Sequence, residues 1–137
     1  MRLLCVENNA TLRKMIDLML AATGIDVDFV SSGFEAVESY QVTEYDAILM
    51  DMDMPVMTGL KAAREIRQVE DGFHLAYTPI LFLNGPLDEE QMIAGREAGG
   101  DAHLMKPFTS EALIGALDRV MKMTSGAGLT GMLRAAR

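Results

Sequence analysis

The sequence predicts an α/β fold in which one parallel β-sheet is covered by helices on both faces. Short apolar runs alternate with segments whose apolar residues recur every three or four positions, and this alternation occurs five times along the chain. Three of the five runs are almost continuously apolar, which is typical of parallel strands buried on both sides. Half of the 137 residues are apolar, so one domain can bury a sizeable core.

The strands are predicted at the five apolar runs. Their predicted bounds are residues 2–6, 26–30, 45–50, 79–83 and 102–105.

The first, second and fourth helices are predicted from apolar stripes and from residues suited to helix ends. Ser32 with Glu35 and Asp88 with Gln91 have the spacing of a capping box, so they open the second and fourth helices. Gly24 can end the first helix in a left-handed conformation. The apolar stripe of the first helix comprises Leu12, Met15, Ile16, Met19 and Leu20.

The third and fifth helices are predicted in the same way. Thr58 and Gly59 lead into the third helix, and Thr109 or Ser110 opens the fifth. Their stripes are Leu60, Ala63 and Ile66 in the third helix and Leu113, Leu117, Val120 and Met121 in the fifth.

The pattern indicates one domain over residues 1–123. Residues 124–137 begin with a stretch rich in glycine, serine and threonine, which predicts a flexible tail or a truncated linker.

Composition excludes several classes of function. The formal charge of -8 and the pI near 4.6 oppose binding to nucleic acid through a broad basic face. Cys5 is the single cysteine, so no internal disulfide can form, and a reducing, cytoplasmic environment is expected. No run approaches the roughly 20 apolar residues of a membrane helix, and the N-terminus does not have the pattern of a secretion signal.

Polar side chains follow four of the predicted strands. Glu7 and Asn8 come after the first strand, Asp51 after the third, Asn84 after the fourth and Lys106 after the fifth. Because the carboxyl ends of parallel strands meet at one edge of a sheet, these side chains should lie together. Massed carboxylates attract a hard divalent cation such as Mg²⁺, and a nearby lysine can pair with phosphoryl oxygens. The set therefore predicts phosphoryl transfer to a carboxylate.

Two segments around these residues resemble the receiver domain of two-component response regulators. Residues 51–59 read DMDMPVMTG, which is similar to the family's phosphoacceptor segment with its Met-Pro pair and following glycine. Residues 101–108 read DAHLMKPF, which is similar to the family's last strand with its lysine and proline. The resemblance implies a flavodoxin-like fold with strand order 2-1-3-4-5. It also implies that Asp51 accepts a phosphoryl group from a histidine kinase or a phosphotransfer protein, with Lys106 contacting that group.

The resemblance further implies a magnesium site and an output surface. Mg²⁺ would be bound by Asp51, by the residue at position 8, by the backbone carbonyl of Asp53 and by Glu7 through water. A cis bond is expected between Lys106 and Pro107. A downstream protein would bind the face formed by the fourth helix, fifth strand and fifth helix of a monomer or weak dimer. No enzymatic activity is expected beyond the domain's own phosphorylation and dephosphorylation.

Three residues depart from the family's pattern inside this pocket. Asn8 stands where the family usually has a metal-binding aspartate, so magnesium affinity should be lower. Asn84 replaces a switch threonine or serine with a longer, planar amide. His103 replaces a switch tyrosine or phenylalanine, and an imidazole at this position could respond to pH.

Three other interpretations remain open. A pseudo-receiver would keep the fold as an interaction module without phosphorylation. A phosphatase of the haloacid-dehalogenase type also carries an Asp-x-Asp segment after a strand, although generally after the first strand. A nucleotide-binding Rossmann domain needs a glycine-rich turn after the first strand, where this chain has Glu7, Asn8 and Asn9.

Overall fold

The computed structural model describes the backbone of residues 1–126 and the side chains of residues 1–123. Strands and helices alternate, with a short 3-10 turn, Ala21–Thr23, after the first helix. The strands are β1 Arg2–Val6, β2 Asp26–Val30, β3 Ala47–Asp51, β4 Ile80–Asn84 and β5 Ala102–Met105. The helices are α1 Ala10–Leu20, α2 Gly33–Val42, α3 Gly59–Phe73, α4 Glu89–Glu97 and α5 Ser110–Gly126.

All five strands are parallel and lie in the order β2-β1-β3-β4-β5, which confirms the predicted topology. The bounds of two strands differ from the prediction: β3 and β4 begin later and include Asp51 and Asn84 as their last residues. Pro79 lies outside β4, since it has no backbone N–H to donate to a strand ladder. The positions of Asp51 and Asn84 are therefore fixed by the sheet itself.

The core lies on both faces of the sheet, because alternate residues of each strand point in opposite directions. On one face, strand residues such as Met50 and Phe82 pack against α2 and α3. On the other, residues such as Leu49 and Leu83 pack against α1 and α5. Met15, predicted on the buried stripe of α1, is exposed because it lies at the margin of that stripe. Within residues 1–126, no helix is both long enough and apolar enough to cross a membrane.

The helix starts follow the predicted caps, with one difference. Asp88 and Gln91 form both bonds of a capping box at α4. At α2, Ser32 accepts a hydrogen bond from the backbone of Glu35, but the Glu35 carboxylate accepts from the hydroxyls of Ser31 and Ser32. At its other end, α5 continues to Gly126, three residues past the predicted domain limit. The rest of the predicted tail lies outside the described residues.

A buried polar network closes the amino-terminal edge of the sheet. The Arg67 guanidinium donates to both carboxylate oxygens of Glu70, at 2.8 and 2.9 Å, and to Asp101 Oδ2 at 3.1 Å. It also donates to the carbonyl oxygens of Thr78 and Gly99. The Glu70 carboxylate is buried and accepts further hydrogen bonds from the Tyr40 hydroxyl and the Thr78 backbone. This network joins α2, α3, the start of β4 and the turn before β5.

We expect Arg67→Met to lower the free energy of unfolding by about 3 kcal/mol or more, because it leaves the buried Glu70 carboxylate without its cation. Urea denaturation measures this. The matched control is Lys122→Met, which removes an exposed pair with Asp118 and should cost less than about 1 kcal/mol. Equal costs for the two variants would contradict a structural role for the network.

Candidate functional site

Three strand ends bring two carboxylates and one ammonium together. Lys106 Nζ lies 2.8 Å from Glu7 Oε1 and 3.2 Å from Asp51 Oδ1. Glu7 is 0% exposed and Asp51 is 2% exposed, so both charges are held out of water. Lys106 follows the edge strand β5, and its bond to Pro107 is cis, as predicted. The lysine therefore links β5, at the edge of the sheet, to the ends of β1 and β3.

Glu7 is held from the start of α1. Its Oε2 accepts a hydrogen bond from the Asn9 backbone at 3.0 Å, and its backbone carbonyl accepts one from Arg13 at 2.6 Å. Asn9 also caps α1 by accepting from the Leu12 backbone. The roles of Asn9 and Arg13 were not predicted from the sequence, although an asparagine just before a helical stripe is a common capping signal.

The charges of the pocket alter one another's protonation. Burial raises the pKa of Asp51 to about 6, and the neighbouring Glu7 carboxylate adds to this, while Lys106 and the Asp53 backbone oppose it. Burial alone would lower the pKa of Lys106, but the hydrogen bond and charge of Glu7, followed by Asp51, raise it. Lys106 is therefore a permanent cation between the two acids. The raised pKa means that the carboxylate form of Asp51 is less stable in this pocket than in water.

The chain after Asp51 turns sharply to begin α3. The backbone N–H of Asp53 donates to Asp51 Oδ1 at 3.1 Å, and Met57 N–H donates to the Pro55 carbonyl at 2.8 Å. Between them, Val56 has a φ of 69°, a strained value for a β-branched residue. Gly59 then passes so close to β3 that a Cβ there would overlap the carbonyl oxygen of Asp51. The start of α3 thus packs directly against the backbone of Asp51.

We expect Gly59→Ala to lower the free energy of unfolding by more than about 1 kcal/mol, since the new methyl group meets rigid backbone. Gly72→Ala, in the same helix, is the control. Its Cβ would meet nothing within 4 Å, so it should raise stability by up to about 1 kcal/mol through helix propensity. Thermal denaturation followed by circular dichroism measures both, and a loss at both sites would refute this account of Gly59.

Of the residues predicted to bind the metal or the phosphoryl group, the structure places Glu7, Asp51 and Lys106 in contact. The side chains of Asn8 and Asp53 are exposed. Among the described residues, no three His, Cys, Asp or Glu side chains are grouped to hold a metal ion. The oxygens that the structure places beside Lys106 are those of two buried carboxylates, Glu7 and Asp51. This donor set suits a hard divalent cation, with less negative charge than three carboxylates would supply.

Asn84 and His103, predicted as switch residues, contact each other. Asn84 is 4% exposed, its Oδ1 lies 3.1 Å from His103 Nδ1, and its Nδ2 donates to the Gly85 carbonyl at 2.7 Å. The imidazole stacks on Phe82 with ring centroids 5.4 Å apart. Burial lowers the pKa of His103, a hydrogen bond with the Met92 backbone opposes this, and the charge of Arg96 adds to the lowering. This direction favours a neutral ring at neutral pH.

Comparison with protein families identifies this arrangement. Residues 3–118 match the response regulator receiver domain. The cell cycle response regulators CtrA of Brucella ovis and Brucella abortus are each 29% identical over 126 residues, a region that covers 92% of this chain and 52% of theirs. The chain therefore spans about half the length of these relatives.

Solved structures give the same result. The chemotaxis protein CheY4 of Vibrio cholerae is 32% identical, with a TM-score of 0.79 over 87% of this chain and 97% of its own. The receiver domain of the sensor histidine kinase PA1611 from Pseudomonas aeruginosa is 36% identical, with a TM-score of 0.76 over 88% of this chain and 96% of its own. That domain has a magnesium ion coordinated in its active site cleft.

Proposed function

Because the chain belongs to the family of response regulator receiver domains, we propose that it accepts a phosphoryl group on Asp51 from a histidine kinase or a phosphotransfer protein. The observation that carries the proposal is the position of Asp51, a buried carboxylate at the end of a central strand, with Lys106 3.2 Å away. A carboxylate held beside a fixed cation suits phosphoryl transfer, where positioning and charge do most of the work.

Each member of the buried group has a distinct role in this proposal. A carboxylate oxygen of Asp51 forms the bond to phosphorus while the donor's bond between phosphorus and imidazole nitrogen breaks. Lys106 offsets the negative charge on the phosphoryl oxygens. Glu7 holds Lys106 in place at 2.8 Å, so the ammonium stays at the pocket while Asp51 reacts.

A magnesium ion at this site would be held by Asp51, the Asn8 side chain, the Asp53 backbone carbonyl and, through water, Glu7. When bound, it would neutralise charge on the transferring group. Asn8 contributes a neutral oxygen, so the affinity for magnesium should be lower than with an aspartate.

The proposed output is contact with a downstream protein through the face formed by α4, β5 and α5. Three large apolar side chains of α4 and β5 are exposed: Met92, Ile93 and Met105. Exposed apolar groups of this kind are typical of protein contact surfaces. The domain would act as a monomer or weak dimer and catalyse no reaction beyond its own phosphorylation and dephosphorylation.

The first test is phosphorylation itself. Incubation with a small-molecule phosphodonor and Mg²⁺ should add one phosphoryl group, measured by intact mass. Asp51→Asn should abolish the addition, since it removes the nucleophile. Asp53→Asn is the matched control and should retain it, because that side chain is exposed and only its backbone serves the pocket. No added mass, even with a cognate kinase, would refute the proposal.

The second test concerns the metal. Asn8→Asp should raise the magnesium affinity by about tenfold, because it restores one negative charge among the ligands. Isothermal titration calorimetry measures this. Asn9→Asp adds the same charge one residue further on, in the cap of α1, and should have a much smaller effect. Equal effects would show that position 8 is not a ligand.

A pseudo-receiver is the second candidate function. The observation that favours it is the orientation of the Asn84 side chain, whose described hydrogen bonds go to the Gly85 carbonyl and to His103, and not to the side chain of Asp51 or Lys106. A pseudo-receiver would show an amide NMR spectrum that Mg²⁺ and beryllofluoride, a phosphoryl mimic, leave unchanged.

A further inference from the structure

We propose that a groove between α5 and the start of β2 is the docking site of this chain's own residues 129–134. The groove has a volume of about 470 Å³. It lies at the end of the sheet where β1 and β2 begin, opposite the end that carries Asp51, so the proposal does not rest on the proposed function. Five of its lining residues are apolar: Met1, Ile25, Ile114, Leu117 and Met121.

One wall of the groove is a single face of α5. Ile114, Leu117 and Met121 are spaced by three and four residues, so they lie along one side of the helix. Ile114 is 40% exposed and Met1 is 62% exposed, so the groove presents apolar surface to a further segment. Contiguous apolar surface of this kind is typical of a contact site.

The residues that line the groove offer few polar groups to orient a small ligand. The Thr23 hydroxyl already donates to the Leu20 carbonyl at 2.6 Å and accepts from the Ile25 backbone at 3.2 Å. Asp118 supplies a carboxylate at the groove. Small-molecule sites generally combine apolar walls with several polar groups that fix the orientation of the ligand. An apolar peptide segment that carries a cation therefore fits this groove better than a polar small molecule does.

Residues 129–134 have this composition. They read LTGMLR, in which the three large apolar residues have the i, i+3, i+4 spacing of one apolar face. Arg134 follows them directly and supplies a cation for Asp118. Lys122 lies 2.9 Å from Asp118 in an exposed pair, and a guanidinium can join that pair because a carboxylate has several acceptor sites. The segment is thus complementary to the groove in both apolarity and charge.

The connection between α5 and the segment is long enough for this contact. α5 ends at Gly126, five residues beyond Met121 and 12 beyond Ile114, which correspond to about 7.5 and about 18 Å along a helix axis. An extended chain covers about 3.3 Å per residue, so Leu129 can lie up to about 10 Å from Gly126 and Leu133 up to about 23 Å from it. Both ends of the groove are therefore within reach. So short a connection also gives the segment a high effective concentration at the groove, which a separate partner lacks.

The docking is tested by paramagnetic relaxation in the full chain. A nitroxide spin label is attached to an Ala135→Cys variant, in which Cys5 stays unlabelled because it is 0% exposed. We expect the label to weaken the methyl signals of Ile25 and Ile114 several-fold relative to the reduced, diamagnetic label. The methyl signals of Leu75 are the internal reference and should keep most of their intensity, because Leu75 directly follows α3, which packs on the opposite face of the sheet from α5.

Variants of the segment show whether its apolar residues make the contact. Leu129→Ser combined with Leu133→Ser should restore the signals of Ile25 and Ile114, because it removes two of the three apolar anchors. Ala136→Ser is the matched control, since it alters none of these anchors, and it should leave the weakening unchanged. Weakening that persists in the double variant would contradict the proposal.

Variants of the groove test the same contact from the other side. Ile114→Ser should restore the signal of Ile25. Ile93→Ser changes an isoleucine of similar exposure, 44% against 40%, in α4 and should not restore it. If Ile114→Ser fails to fold, the segment variants still decide the proposal, because they alter no residue of the packed core.

Three further results would overturn the proposal. No weakening at Ile25 and Ile114 would show that the groove is not the site of the segment. Equal weakening at Leu75 would show that the segment has no preference for the groove. The third result comes from a mixture of isotope-labelled chain without the spin label and spin-labelled chain without the isotope, in which no signal should weaken. If Ile25 and Ile114 weaken in that mixture, the segment of a second copy occupies the groove.

Discussion

A parallel sheet buried on both faces has room for charge only at its two ends, and the rest of this molecule follows from that constraint. The strands present apolar side chains to the helices above and below, so each ionised group must find its partner where a strand stops. At the amino-terminal end Arg67 meets Glu70 and Asp101. At the carboxyl end Lys106 meets Glu7 and Asp51.

The two ends differ in how completely their charges are satisfied. At the amino-terminal end, the Arg67 guanidinium donates hydrogen bonds to carboxylate and carbonyl oxygens. The Glu70 carboxylate also accepts hydrogen bonds from Tyr40 and Thr78, so the groups at this end are satisfied by several interdependent bonds. At the other end a single ammonium serves two carboxylates, and the pKa of Asp51 stays raised. A closed network stabilises, whereas a pocket with surplus negative charge is suited to react or to bind a cation. The amino-terminal end of the sheet therefore has a structural role, and the carboxyl end is the part of the fold suited to chemistry.

Sequence patterns were sufficient for the sheet and for the centre of the site. Asp51 and Lys106 could be located because each ends or follows an apolar run, and parallel topology brings such ends together. The pair of Arg67 and Glu70 has the i,i+3 spacing of neighbours on one helix. The other partners could not be predicted, because they lie in the segments before β4 and β5, and no spacing in the chain reveals that these meet α3. The contact between Asn84 and His103 depends on side-chain torsions, so the two residues were separately recognisable as unusual but not as a pair. The exposure of Asn8 is likewise set by the local backbone after β1.

Gly95 has a consequence for how this domain can change over evolutionary time. The missing Cβ and the His103 ring share one space between α4 and β5. A larger residue at 95 would require a smaller one at 103, or a ring turned towards solvent. Among relatives, positions 95 and 103 should therefore vary together. A lineage could alter the packing of α4 against β5 by this pair of substitutions while Asp51, Glu7 and Lys106 stay as they are.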